Sequence, residues 1–201
     1  MSRLGTTLAL TLCALTGCSI LAPQPDPSRF YVLTASVDAP NTPAAADSLT
    51  IGVGPIRLPD YLDRSQIVTR VAPNQVVFSD IDRWAEPLGR TFARVLSEDL
   101  ARLLNTDTIV SLPVFVPVSL QYEVPIEVLR FESDDKGVVE LWARWAIRNP
   151  QDKKLLHASE SRITESAAGT ETQAVVAAQS RAIGKLGEEI AGAVRRLSTT
   201  S

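Results

Sequence analysis

Cys18 is the residue of this sequence whose surroundings most clearly define a chemistry. It follows an apolar run, residues 4–15, and the small residues Thr16 and Gly17. Small side chains give a peptidase access to the backbone, and the thiol of Cys18 can accept a diacylglycerol group. The run is too short to span a bilayer, which takes roughly 20 apolar residues. The pattern predicts a bacterial lipoprotein signal over residues 1–17 and lipidation at Cys18; the alternative is an ordinary secretory signal followed by a chance cysteine.

The residue after Cys18 bears on the compartment. Cleavage frees an amine that can take a further acyl chain such as palmitate, and two or three chains anchor a protein stably, whereas one binds only marginally. In lipoproteins of this type an Asp after the cysteine favours retention in the inner membrane. Ser19 therefore predicts export to the periplasmic face of the outer membrane. Cys13 leaves with the leader, so no intramolecular disulfide is expected in the mature chain.

Composition gives the class of the mature chain. The sequence is 45% hydrophobic and 21% charged, typical of a globular domain that can bury one core. Removal of Arg3 with the leader leaves 19 of the 20 basic residues against 23 acidic ones, a net charge of −4. A nucleic-acid binder would carry a basic patch, so no nucleic-acid partner is expected. The acyl chains, rather than charge, are expected to hold the protein on its membrane.

Residues that could support catalysis or bind a metal are few. His157 is the only histidine, and without a free thiol a zinc site would need carboxylates almost alone, which zinc disfavours. No Gly-x-Ser-x-Gly motif provides a serine nucleophile for it. The sequence therefore predicts no metal, no cofactor and no enzymatic activity, and it makes His157 a structural residue of a strand.

Paired acids allow two interpretations. The pairs are Asp60 and Asp63, Asp80 and Asp82, and Asp134 and Asp135. A pair of carboxylates is what a glycosidase requires. The simpler interpretation is that the last pair forms a turn, and that Asp80 and Asp82 precede a helix whose N-terminus is stabilised by negative charge.

Hydrophobic periodicity predicts the elements that position these residues. Strands are predicted over residues 29–34, 49–58, 66–71, 75–78, 108–112, 119–131, 138–148 and 155–165. A helix is predicted over residues 86–104, with Pro87 in its first turn and Asn105 at its end, and another from Thr170 or Thr172 to residue 197. The pair Gly52 and Gly54 resembles half of a dinucleotide-binding fingerprint, but Pro55 favours a bulge or a strand edge.

The chain is thus predicted to have three parts. Residues 1–17 are the signal. Residues 18–28 are the lipidated cysteine and a Pro-rich tether, which is either an extended spacer or a disordered linker with no set reach. Residues 29–198 are a single α+β domain, with two main helices packed on one face of a mostly antiparallel sheet.

Two places are candidates for partner binding. The first is the stretch from residue 83 to 88, where Arg83, Trp84, Glu86 and Leu88 precede or begin a long helix; Trp and Arg are enriched at binding hot spots. The alternative is that Trp84 is a core residue packed under the helix start, and both interpretations stay open. The second is Trp142, which falls on the polar side of its predicted strand.

The order of these segments resembles the PqiC-type lipoproteins, the ABC-type transport auxiliary lipoprotein family. The resemblance rests on the lipidation motif, R-F-Y-V-L-T from Arg29, I-G-V-G-P-I-R-L-P-D-Y-L-D-R from Ile51, and D-R-W-A-E-P-L from Asp82. It covers nearly all of the mature chain, and none of these stretches is a catalytic motif.

The resemblance implies a role beside transporters that contain mammalian-cell-entry (MCE) domains and carry lipids between the inner and outer membranes. In that picture the lipoprotein receives the far end of a tunnel-forming MCE protein and assembles into a ring-shaped homo-oligomer. The function it implies is that of a docking or assembly component of a lipid transporter that maintains membrane integrity. The alternative is a periplasmic carrier domain that binds lipid between its helices and its sheet.

Overall fold

The computed structural model describes residues 25–38, 49–113 and 118–199. Within these ranges the chain forms eight strands and two helices, so the predicted α+β class is confirmed. The elements, in chain order, are β1 (Arg29–Tyr31), β2 (Ile51–Arg57), β3 (Gln66–Ala72), β4 (Gln75–Trp84), α1 (Leu88–Leu104), β5 (Ile109–Ser111), β6 (Tyr122–Asp134), β7 (Val138–Arg148), β8 (Leu155–Ser166) and α2 (Thr172–Ser198). None of the helices in these ranges is both long and apolar enough to cross a membrane.

The sheet is mixed, so the prediction of a mostly antiparallel sheet is wrong. Among the described strands, four of the seven pairings are parallel: β1 with β4, β2 with β5, β2 with β6, and β3 with β6. The partners in a parallel pair are joined by long crossovers, and local periodicity does not show which distant strands will meet. The antiparallel meander β6–β7–β8 is present as predicted.

Strand β6 is the centre of the sheet. Its first half pairs with β2, its last residues pair with β3, and β7 runs along its other edge. The sheet is therefore forked, with β2 and β5 on one branch and β3, β4 and β1 on the other. The predicted bulge in β2 is confirmed as a shift of register between Val53 and Ile56, next to Gly54 at a φ of 116°.

Both helices pack on one face of this sheet, as predicted. Apolar residues recur every three or four positions along α1, and this stripe faces the sheet. The ring of Phe92 meets the ring of Phe131 on β6 edge-on, with centroids 5.2 Å apart. Gln179 of α2 donates from Nε2 to the carbonyl oxygen of Phe131 at 3.1 Å. All three residues are buried, so the space between helices and sheet is filled by side chains.

The end of β4 differs from the prediction. The sequence ended this strand at Phe78 and made the following residues a helix approach, but β4 continues to Trp84 because β1 pairs with its last three residues. Helix α1 begins at Leu88, its first turn holds no acidic residue, and Asn105 ends it in the left-handed conformation. The prediction that Asp80 and Asp82 stabilise the start of this helix is therefore wrong.

The N-terminal segment leaves the sheet after Tyr31 and crosses both helices, whereas a strand to Thr34 was predicted. The backbone N–H groups of Ser36 and Val37 each donate to Asp99 Oδ1 of α1 at 3.0 Å. The N–H of Thr34 donates to Ser180 Oγ of α2 at 3.2 Å. We call residues 32–38 the strap. Residues 39–48, which follow the strap, lie outside the described residues.

Candidate partner-binding surfaces

Cys18 lies outside the described residues, as do the predicted signal and the first part of the tether. The last residues of the predicted tether are already held to the domain. Asp26 Oδ1 accepts a hydrogen bond from the backbone N–H of Ser28 at 3.0 Å, and Ser28 Oγ accepts one from Arg83 Nε at 3.2 Å. The predicted tether is therefore held to the domain at Ser28.

The structure divides the stretch from residue 83 to 88 between core and surface. Trp84 is 5% exposed and Leu88 is 1% exposed, so Trp84 has the core position that was one of its two interpretations. Arg83 and Glu86 reach the surface. Glu86 Oε1 accepts hydrogen bonds from the Thr91 hydroxyl at 3.1 Å and from the Arg94 guanidinium at 3.3 Å.

Part of this stretch lines a surface pocket of about 350 Å³. Its walls come from the turn before β3 and from the end of β4, and its lining residues are Asp63, Arg64, Ser65, Trp84, Ala85, Glu86 and Pro87. The guanidinium of Arg64 lies over the ring of Phe78, 4.0 Å from its centre. The pocket offers two carboxylates and one guanidinium beside a mostly covered indole, which suits a polar side chain of a partner protein.

Trp142 lies elsewhere. It is on β7, on the face of the sheet opposite the helices, and β3 and β6 separate it from β4. Its register neighbour on β8 is Arg162, whose guanidinium stacks 3.8 Å from the centre of the indole ring. The two predicted binding places therefore belong to different surfaces.

The face that carries Trp142 has an ordered row of charges that the sequence alone does not show. Arg57, Glu127, Arg144 and Glu160 are register neighbours on β2, β6, β7 and β8. Arg144 Nε lies 2.9 Å from a Glu160 oxygen, and Arg144 Nη1 lies 3.9 Å from a Glu127 oxygen. The hydrogen bond from Arg144 lowers the pKa of Glu160. These pairs are exposed, so solvent screens them and they contribute little to stability. They remain accessible to a partner.

The other candidate residues, His157 and Asp134, make contacts within the fold. His157 on β8 packs against Trp145, with ring centroids 5.3 Å apart. Asp134 Oδ1 accepts backbone hydrogen bonds from Lys136 and Val138, so the predicted turn is confirmed. Across the ranges that the structure describes, no group of three or more His, Cys, Asp and Glu residues is placed to hold a metal ion.

Asp82 has partners on two other elements of the fold. Arg29 donates to its two oxygens at 2.7 and 3.0 Å, and the Thr172 hydroxyl donates at 2.6 Å. Burial raises the pKa of Asp82, but these hydrogen bonds outweigh burial and lower it overall. Thr172 is the first residue of α2, and the N-cap of this helix is Glu171. Asp82 thus joins β1, β4 and the start of α2, a role that depends on contacts distant in sequence.

An apolar groove of about 910 Å³ was not predicted. It lies between β2, β5 and the start of α1, and its lining residues are Pro55, Ile56, Asp63, Pro87, Gly89, Arg90, Ala93, Val110, Ser111, Leu112, Pro113 and Val118. In the sequence these residues form three separate runs. The parallel pairing of β2 with β5 and the packing of α1 on these strands bring them together.

Comparison with known proteins gives the class. Residues 31–191 match the family described as the ABC-type transport auxiliary lipoprotein component. The match places the chain among lipoproteins that accompany ABC transporters. Because it spans most of the sequence, the chain belongs to the ABC-type transport auxiliary lipoprotein family, and the resemblance seen in the sequence is confirmed. Among curated proteins, none matches this sequence.

Solved structures share the fold. A crystal structure of a Xanthomonas campestris protein of the DUF330 family has a TM-score of 0.70 and 19% identity, covering 86% of this chain and 99% of that chain. A crystal structure of an uncharacterized protein has a TM-score of 0.67 and 16% identity, covering 83% of this chain and 98% of that chain. At these identities the likeness shows the fold alone.

Proposed function

We propose that this protein is the docking component of an MCE-type lipid transport system, anchored through acylated Cys18 on the periplasmic face of the outer membrane. Membership of the transport auxiliary lipoprotein family carries this proposal. The sequence motif around Cys18 supports the anchor, and Ser19 supports the outer membrane as its destination. The domain acts by binding rather than by catalysis, in keeping with the structural surroundings of His157 and Asp82.

The partner is the tunnel-forming MCE protein of the inner-membrane transporter. The open face of the sheet around Trp142 is our candidate for this contact or for assembly of a homo-oligomer. It combines a half-buried indole with a row of exposed, alternating charges. Aromatic and Arg side chains supply most of the binding energy in many protein interfaces. Arg83 and Glu86 form the second candidate surface, with Trp84 beneath them.

Native mass spectrometry of the domain from Ser19 onward, alone and with the MCE protein of the same organism, tests the proposal. A defined oligomer that captures the MCE protein is the expected result. Trp142→Ala should weaken assembly or capture while leaving the thermal transition in place. Glu188→Ala, an exposed substitution on α2 on the other side of the sheet, is the control and should change neither. A domain that never captures the MCE protein would contradict the docking role.

The apolar groove favours a second candidate function, a lipid-binding carrier. Its volume of about 910 Å³ and its lining from β2, β5 and α1 suit part of an acyl chain. The filled layer between helices and sheet argues for docking, because a carrier of the kind predicted would keep its cavity there. A monomer that retains phospholipid in native mass spectra would favour the carrier, and loss of that lipid in Ala93→Trp would locate it in the groove.

A further inference from the structure

Phe30 and Val32 are exposed apolar residues on the N-terminal segment. They are 62% and 47% exposed, whereas Leu33 is fully buried. Arg29, on the other side of the chain, turns inward to Asp82. Side chains of an extended chain alternate between two faces, so Phe30 and Val32 share the outward face. Their exposure is a property of one face of this segment.

The segment that carries them is firmly held. Arg29 pairs with Asp82, Arg94 donates to the carbonyl oxygen of Leu33 at 3.3 Å, and Thr34 donates to Ser180. An aromatic side chain on a backbone already fixed loses little conformational entropy when it binds. Phe30 is therefore a preorganised apolar contact on the outside of the domain.

Arg83 lies beside Phe30, and it forms no ion pair within the described residues. The two residues are in register on β1 and β4. Arg83 donates to the hydroxyls of Ser28 and Ser65 and to the carbonyl oxygen of Asp80, all of them neutral acceptors. Its charge acts on Asp26, but the two do not form an ion pair. A guanidinium next to an exposed aromatic ring suits the phosphate and glycerol region of a lipid surface.

The position of this surface in the chain keeps it near lipid. Seven peptide steps separate Cys18 from Pro25, and at roughly 3.5 Å per residue they reach at most about 25 Å. Phe30 follows five residues later on a segment fixed to the domain. A short tether of this kind gives the surface a high effective concentration at the membrane, so a weak contact is enough to orient the domain.

We propose that Phe30, Val32 and Arg83 form a lipid-facing surface that lies against the bilayer holding the acyl chains of Cys18. Phe30 and Val32 enter the boundary between head groups and acyl chains, and Arg83 binds phosphate. The proposal rests on lipidation of Cys18 and is independent of the transport partner. Contact of this surface with lipid would set the orientation of the domain relative to the membrane, because β1 and β8 are at opposite ends of the sheet. β8 then points away from the membrane.

Fluorescent probes on the full, acylated protein test this orientation. Phe30→Cys and Leu155→Cys carry an NBD label; Leu155, on β8, is 60% exposed and is the matched control. The protein is reconstituted in vesicles of phosphatidylethanolamine and phosphatidylglycerol with doxyl-labelled phosphatidylcholine. The expected result is a blue shift and loss of intensity for the probe at residue 30 and neither for the probe at residue 155. Equal quenching at both sites, or none at residue 30, would overturn the proposal.

A second variant separates contact from mere proximity. A probe at Val32→Cys should lose part of its quenching when Phe30→Ser is added, because Phe30 supplies most of the apolar contact. Unchanged quenching would mean that the tether alone brings the segment near lipid, and the proposed surface would be wrong. Flotation with the vesicles reports the anchor separately. If the protein floats but the probe at residue 30 is not quenched, the proposed lipid-facing surface is wrong and the anchor at Cys18 stands. If the protein does not float, both the anchor and the surface that depends on it are wrong.

Discussion

Two buried aspartates are expected to respond to pH in opposite directions. Burial raises the pKa of Asp99, despite the hydrogen bonds from Val37 and Ser36 that lower it. A carboxyl whose pKa is raised on folding stabilises the fold below its pKa in the unfolded chain, which is about 3.9. This contribution to stability is lost as pH rises through the pKa of the carboxyl in the folded protein. Asp99→Asn keeps an acceptor and cannot ionise. The free energy of unfolding of this variant, relative to that of the wild type, should therefore increase as pH rises from about 4. Urea titrations at successive pH values measure this difference.

Asp82→Asn should show the reverse. Because the pKa of Asp82 is lowered, its contribution is present above the unfolded pKa and is lost as pH falls through the folded one. The variant should be less stable than the wild type at neutral pH by about 1–2 kcal/mol, allowing for the exposure of Arg29. The deficit should shrink in acid. Each variant serves as control for the other, and parallel pH profiles would contradict both assignments.

Among the elements, α2 carries a matched pair of glycines with different surroundings. A side chain at Gly184 would overlap Ser36 of the strap and approach Val37 and Asp99, whereas one at Gly192 would meet only the end of Arg196. Gly192→Gln should stabilise by up to about 1 kcal/mol through helix propensity. Gly184→Gln should destabilise by about 1–3 kcal/mol, because the strap must move. Thermal unfolding of the two variants measures the difference, and equal effects would mean that the strap does not pack closely on α2.

The elements also show what the sequence can predict. Strand β7 was predicted with its observed bounds, and α1 with its end at Asn105, because alternation, periodicity and a left-handed cap residue are local signals. The extension of β4 was missed because its last residues depend on β1, about 50 residues earlier in the chain. The motif at Cys18 is likewise local. The charge row through Arg144 is not local, because it exists only once four strands are in register.

At the scale of the whole molecule, the N-terminal segment belongs to the fold although it follows a tether. Leu33 is fully buried, and the strap supplies two of the hydrogen bonds to Asp99. Arg102 of α1 also donates to the carbonyl oxygen of Val37 at 2.6 Å. The N-terminal segment is therefore part of the core, so an anchor at Cys18, as proposed, would connect directly to the helices and the sheet edge.

Stepwise truncation tests this placement. A chain beginning at Pro25 should unfold at the same urea concentration as one beginning at Ser19. A chain beginning at residue 31, where the family match starts, should lose about as much stability as Asp82→Asn, because both remove the pair with Arg29. A chain beginning at residue 39 should lose several kcal/mol, since it exposes the site of Leu33 and leaves Asp99 buried without its donors. This loss is large for a domain, whose stability is typically about 5–15 kcal/mol. Equal urea midpoints for the chains that begin at residues 25 and 39 would mean that the strap contributes nothing to the stability of the domain.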